Sequence, residues 1–405
     1  MKFTNQQVFG GFLMITGDGA YIKKINRSII LGKIIEHGLI SRADLSKITG
    51  LNKATISVQV ANLLEEELIY ETTQEHKVVG RRPIMLSINH DIGYVLGIDF
   101  DYRYIQFTVS DLSGNPVQYD SMTLQTDDYD EIVAILANHI GSYQKQYANR
   151  RYGLVSVTIG IHGTVNNDES INFVPTYQWK NKDLKADLEQ SLDMTIAIEN
   201  NANLSAYAER VYIHHESNHL LCILLSSGIG TGIMIDGKLH KGYHGYAGEM
   251  GHMIILPNGR QCRCGNHGCW ELYSSEPSFL EDLAKLLDRP KVTFHDVKTL
   301  VEEKDPTTQT FIDQFMVDLS IGLNNIINLY NPETLVLTSE LFNIIPDVIE
   351  KIEQHLHSSV SEYGNLVVSK LGNTSCVMGA CALAIQEFLG VPELVLTMNE
   401  DMLPR

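Results

Sequence analysis

The sequence lacks any apolar run approaching the roughly 20 residues that a helix needs to cross a bilayer, so no membrane partner is expected. Its start lacks the basic run and small-residue cleavage segment of a secretory signal. The apolar patch at residues 8–15 is broken by Gly10 and Gly11. There is no GxxxxGK[ST] phosphate loop and no short-period repeat. Cysteine is scarce, at six residues in 405, and Cys262, Cys264 and Cys269 crowd into one short stretch. That pattern disfavours a disulfide framework and favours a metal site. These absences together point to the cytoplasm. Positive charge is also short: 31 Lys+Arg face 49 Asp+Glu, a formal charge of −18. Taken whole, this shortage argues against a nucleic-acid binder.

The shortage is not uniform. Residues 1–90 hold 11 Lys+Arg against 8 Asp+Glu, for +3, and the remainder holds 20 against 41, for −21. The two parts are therefore read separately. An apolar share of 44% with 20% charged residues is that of a folded soluble chain. At about 100–200 residues per domain, the length suggests two to four domains.

Residues 1–20 show weak periodicity and several glycines, and read as a loose arm. From Asn26 the pattern is helical, with Ile29, Ile30, Ile34 and Ile35 on one face. Ser41 is an N-cap with Asp44 three residues on, and Leu45 and Ile48 supply the buried side of a short helix. Gly50 permits a tight turn. Asn52 caps a second helix, where Ile56, Val60 and Leu63 share a face. Two short helices joined in this way form a helix-turn-helix. Strands at residues 69–72 and 85–88, around a loop containing GRRP, make it a winged variant. Lys53, Thr55, Ser57 and Gln59 lie off the apolar face and can reach base edges or phosphates. Arg81 and Arg82 at the wing tip suit a narrow minor groove. The competing reading is a winged helix that binds protein.

From Tyr94 the composition changes. Three strand-like runs are followed by alternating helices and strands, and this order occurs twice, ending on the buried strand ETLVLTSE. A duplicated α/β architecture fits. His252 with Cys262, Cys264 and Cys269 supplies one imidazole and three thiolates, a closed tetrahedral shell for structural Zn²⁺. His267 is an alternative ligand, and buried free thiols are the competing reading. Glu199, Asn200, Asn201, Glu249, His252 and Glu271 offer carboxylates and amides suited to hydroxyl groups, although each taken alone is more often a solvated loop residue. SSGIGTG, residues 226–232, can cradle phosphate through backbone N–H groups or simply turn a hairpin.

In chain order, the winged helix with GRRP, then GIDF, IENNANLSAYAE, SSGIGTGIMIDGKLHKG, GEMGH and CRCGNHGCWELY resemble the ROK family (repressors, open reading frames and sugar kinases) over nearly the whole chain. The resemblance implies an N-terminal winged helix-turn-helix followed by a duplicated actin-like ATPase fold. That fold has two RNase H-like lobes around a cleft, with a zinc-binding loop. It implies an arm at 1–20, a DNA-binding domain at 21–90 and a sugar-binding domain at 91–405. It implies that Asn200, Asn201, Glu249, His252 and Glu271 contact sugar, with His252 serving zinc as well.

The departures from the family's kinases are specific. Their D-x-G-G-T phosphate loop is replaced by Asp99-Phe100-Asp101-Tyr102-Arg103. Their general-base Asp is replaced by Asn201, and an amide cannot take a proton near neutral pH. Their late Gly-Gly is replaced by Thr338-Ser339. The implied protein is therefore a non-enzymatic, sugar-responsive transcriptional repressor. It binds operator DNA as a homodimer or homotetramer and takes a xylose-like sugar as effector. The alternative is a ROK sugar kinase with an appended DNA-binding domain.

Overall fold

A computed structural model of the protein describes residues 19–73, 83–101 and 104–397. The chain divides into two units, Met1–Ser87 and Ile88–Arg405. Most of the expected N-terminal arm, and Arg81 and Arg82, lie outside the described residues.

The first unit holds α1 (Gly19–His37), β1 (Ile40–Ser41), α2 (Arg42–Thr49), α3 (Lys53–Glu65), β2 (Ile69–Thr73) and β3 (Ile84–Ile88), with sheet order β1-β3-β2. Capping chemistry starts both short helices. Ser41 Oγ accepts from Asp44 N at 3.1 Å and donates to the Asp44 carboxylate at 2.7 Å. Asn52 Oδ1 accepts from Thr55 N at 2.8 Å. Between them Gly50 takes a left-handed φ of 70°, which ends α2. Ile30, Leu31, Ile34, Leu45, Ile56, Val60 and Leu63 form the core.

Two expectations fail here. Ile48 is 45% exposed, because the two turns of α2 present only Leu45 inward. Gln59 is 3% exposed and does not lie off the apolar face. Positions 56, 59, 60 and 63 share one side of a helix, so Gln59 points inward and Nε2 donates to Lys23 O at 3.3 Å.

The second unit begins with β4 (Gly93–Phe100), β5 (Tyr104–Asp111), β6 (Pro116–Thr123), α4 (Tyr129–Tyr147), β7 (Gly153–Ile161), β8 (Thr164–Val165), β9 (Ile171–Val174), β10 (Trp179–Lys182), α5 (Leu184–Glu189), β11 (Ile196–Asn200) and α6 (Asn201–Ala208). It continues with β12 (Leu220–Leu225), β13 (Ile229–Ile235), β14 (Lys238–Leu239), α7 (Glu271–Ser274), α8 (Glu276–Leu286), α9 (Phe294–Glu302) and α10 (Pro306–Tyr330). It ends with β15 (Thr334–Thr338), α11 (Val348–Glu353), β16 (Asn365–Val368) and α12 (Ser375–Leu389). Two five-stranded sheets form, ordered β6-β5-β4-β7-β11 and β14-β13-β12-β15-β16. In each, the first three strands pair antiparallel and the last two run parallel to the first. The same lobe is thus built twice, each with its own apolar core.

Helices α6 and α12 lie between the sheets. α12 packs on β4, β5 and β7, α6 packs on β12 and β13, and the two helices pack on each other. α12 is apolar on nearly every side, as a helix buried all round must be. β16 extends the second sheet beyond ETLVLTSE, which is therefore not the last strand. A small sheet, β10-β9-β8, interrupts the first lobe between β7 and β11.

Candidate functional site

Parallel strands bring their carboxyl ends to one edge, where ligands of open α/β sheets bind. In the first lobe Phe100 pairs with Ile161, and Ile161 with Asn200. Asp99, His162, Asn200 and Asn201 therefore emerge together. Asn200 caps α6: Oδ1 accepts from Ala202 N at 2.9 Å and Asn203 N at 3.2 Å, and Nδ2 donates to Gly163 O at 2.9 Å. An amide can make four such bonds, so one N–H remains for a ligand. Glu199 faces the other way. Its Oε1 accepts from Asn200 N at 2.8 Å and Asn203 Nδ2 at 3.0 Å, and its Oε2 pairs with Lys241 Nζ.

His162 is a member of this group that sequence reasoning passed over. Nε2 lies 2.8 Å from Asp99 Oδ1, and Nδ1 lies 3.5 Å from both Asp101 Oδ1 and Asn201 Nδ2. Burial disfavours its charged form, but the charge and hydrogen bond of Asp99 and the charge of Asp101 outweigh burial and raise its pKa. The available signal was a histidine closing the apolar run LVSVTIGI.

The second lobe reaches the same place through glycines. A Cβ at Gly232 of β13 would stand 2.1 Å from Ala202 O of α6, and one at Gly248 would stand 2.0 Å from Thr231 O. α6 and the GEMGH loop thus press on the same start of β13. A Cβ at Gly228, in the turn of SSGIGTG, would stand 2.8 Å from Glu271 Oε2. SSGIGTG itself is a hairpin, with Leu225 opposite Ile229. Glu249, His252 and Glu271 are therefore gathered around residues 228–231, and α6, which Asn200 caps and Asn201 begins, packs on the same strand through Ala202.

The donor atoms of His252, Cys262, Cys264 and Cys269 all lie within 4.8 Å of one another. Cys264 Sγ is 3.6 Å from Cys269 Sγ, and Cys262 Sγ is 3.6 Å from His252 Nδ1. A tetrahedral ion with metal–sulfur bonds of about 2.3 Å separates its sulfurs by about 3.7 Å, so these two separations suit one, and the group could hold a metal ion. His267 is not in the group. Gly268, with φ 83°, lies where a Cβ would stand 1.8 Å from Leu256 O. Trp270, fully buried, anchors the loop on α10, where a Cβ at Gly322 would stand 2.0 Å from the indole.

His252 faces both ways. Its Nδ1 looks to the thiols and to Glu271 Oε1 at 3.4 Å, while Nε2 lies 3.8 Å from Glu249 Oε2.

Two of the places where the sequence departs from the family's kinases are held by packing and hydrogen bonds within each lobe. Phe100 is buried, stacked on Trp179 at 5.5 Å. Ser339 Oγ donates to Glu276 Oε1 at 2.8 Å, and Glu340 N donates to the same oxygen at 2.7 Å. A carboxylate thus takes the backbone donor at the end of β15. Burial pushes Glu276 up to about 7, against the pull of these bonds.

In the first unit, Lys53 and Ser57 are exposed, Thr55 is half-buried, and Ser57 Oγ donates to Lys53 O at 2.8 Å. Val58, not singled out from sequence, is 54% exposed on the same face.

The ROK family model matches residues 95–387. The chain is 35% identical over 381 residues to the xylose repressor of Bacillus subtilis strain 168, covering 93% of this chain and 99% of the relative. It therefore belongs to the ROK family. Among solved structures it resembles a ROK family transcriptional regulator, a homolog of the E. coli MLC protein. That match has a TM-score of 0.79 at 26% identity and covers 91% of this chain and 97% of that one. It also shares the fold of a ROK family glucokinase from Streptomyces griseus. Here the TM-score is 0.63 at 23% identity, covering 73% of this chain and all of that one. Among the described residues, no helix is long and apolar enough to cross a membrane.

Proposed function

We propose that the chain is a sugar-responsive transcriptional repressor that controls genes for using a xylose-like sugar. One observation carries the reading. The likeness to a named repressor runs over 93% of the chain, while the glucokinase, matched over its full length, accounts for 73%. The repressor likeness thus extends beyond the kinase fold.

In this reading the first unit is a winged helix-turn-helix that binds operator DNA through the exposed face of α3, with Lys53, Thr55, Ser57 and Val58. Arg81 and Arg82 act from the wing. The second unit is a duplicated actin-like fold that binds sugar at Asn200, Asn201, Glu249, His252 and Glu271. Zinc held by His252, Cys262, Cys264 and Cys269 fixes the loop that carries Glu249 and Glu271. It supplies shape rather than chemistry, because four protein ligands close its shell. The protein works in the cytoplasm, and a homodimer or homotetramer supplies the paired helices that a palindromic operator requires. It is not an enzyme. Asn201 cannot serve as a base, and Asp101, Tyr102, Thr338 and Ser339 stand where the family's kinases have glycines that admit a nucleotide.

Fluorescence anisotropy on a labelled fragment of the chain's own promoter tests the reading. Binding that weakens steeply with salt and shifts on adding D-xylose is expected. No promoter binding at low salt overturns the repressor. Binding indifferent to every sugar overturns the effector.

A further inference from the structure

The Nδ1 edge of His162 is turned toward two groups that it does not reach well. Asp101 Oδ1 and Asn201 Nδ2 each lie 3.5 Å away, at the long end of hydrogen bonding. The other edge is committed, because Nε2–H donates to Asp99 Oδ1 at 2.8 Å. The carboxylates of Asp99 and Asp101 favour a second proton, on Nδ1.

The three atoms therefore offer two donors and one acceptor. A hydroxyl has the complementary set, two lone pairs and one proton. Held between them, its oxygen accepts from Nδ1–H and from Asn201 Nδ2, and its proton goes to Asp101 Oδ1. A carboxylate oxygen has room for this in addition to its other bonds. Burial first, then the nearby charges of Asp101 and Asp127, push the half-buried Tyr177 phenol up to about 12.

We propose that His162 Nδ1, Asn201 Nδ2 and Asp101 Oδ1 together grip one hydroxyl of a neutral monosaccharide, a first-lobe subsite apart from Glu249, His252 and Glu271. The inference rests on the sugar-binding reading above and adds His162 and Asp101 to the residues that touch the effector. The grip is strongest while His162 is protonated. The groups facing this cluster are Asp99 and Asp101 at the end of β4, Tyr104 and Tyr119 from β5 and β6, Tyr177, Asn201 from α6, and Cys376 from α12 beside Asp99. The two carboxylates are the groups that hold the proton, so effector affinity falls as rising pH removes it.

Calorimetric titration of the full-length protein with D-xylose, D-glucose and the monodeoxy analogues of D-xylose tests this, with thermal melts to confirm folding. The wild type is expected to bind D-xylose and to bind one monodeoxy analogue at least ten-fold more weakly. His162→Ala and Asn201→Ala each bind that analogue and D-xylose alike. His162→Gln loses the fall in affinity at high pH and stands in for His162→Ala if the latter does not fold. Folded variants that keep the wild-type discrimination, or lose it toward different analogues, overturn the subsite and leave the sugar reading intact. A wild type that binds neither sugar overturns both.

Discussion

Gly379 of α12 lies so close to Leu204 of α6 that a Cβ on it would stand 1.9 Å from the Leu204 carbonyl oxygen. No side chain intervenes where the two central helices cross. The obstacle is backbone, which cannot turn aside. Gly379→Ala is therefore expected to cost about 3 kcal/mol or more, the upper range for overfilling a packed core. Urea unfolding measures it, and a loss below about 1 kcal/mol contradicts the crossing described here.

The cysteine–histidine group predicts one zinc per chain by elemental analysis. Chelation at neutral pH is expected to lower the melting temperature, because a ligand bound only by the folded state stabilises it by about 4 kcal/mol at a thousand times its dissociation constant. Cys269→Ser, in a fully buried ligand, should lose the metal and this response together.

On α3, Lys53→Ala is expected to weaken DNA binding on all sequences and to reduce the salt slope by about one phosphate contact. Val58→Asp should abolish binding by setting a charge on the exposed face. Gln59→Ala behaves differently: it removes the bond to Lys23 O and lowers thermal stability, while a salt series on the folded variant keeps the wild-type slope.

Glu209 opens a five-residue π-turn after α6 and is fully buried. Burial pushes its carboxyl from 4.5 up to about 7, partly opposed by the hydrogen bond from Ser369 Oγ. Its folded form prefers the proton. The stability this provides is present below about 4.5 and is lost as the pH rises toward 7. Glu209→Gln should flatten the fall in unfolding free energy between those values. An unchanged slope would assign the effect elsewhere.

A coupled assay for ADP release across common sugars is expected to stay at background, even for Asn201→Asp. Restoring the acid leaves Asp101 and Tyr102 where the family's kinases have glycines, and Glu276 bonded to Ser339. Sugar-dependent turnover would restore the kinase reading.

What could be read in advance was local. Ser41 with Asp44, and Asn52 with Thr55, are caps within four residues of sequence, and both stand where expected. The metal-fitting cluster was legible because its thiols are neighbours along the chain. His162 was not, because its partners Asp99 and Asn201 lie 63 and 39 positions away. Gln59 misled because a polar residue says nothing about which way it points when its bonding partner sits on another helix. β16 is four residues long, too short for any period to register, and β8 to β10 hide in a polar stretch whose pairing is set by tertiary contact. α12, apolar from Cys376 to Ile385, offers no face to read.

The crossing of α6 and α12 has a mechanical side. Two rods touching backbone to backbone cannot be drawn apart or pushed together cheaply, but they can swivel about the point of contact. The two lobes are thereby built like the blades of a pair of scissors, with Gly379 and Leu204 at the rivet. A rotation of one blade against the other would leave this contact in place and displace the rims most. The arm longest from the rivet would carry that change furthest.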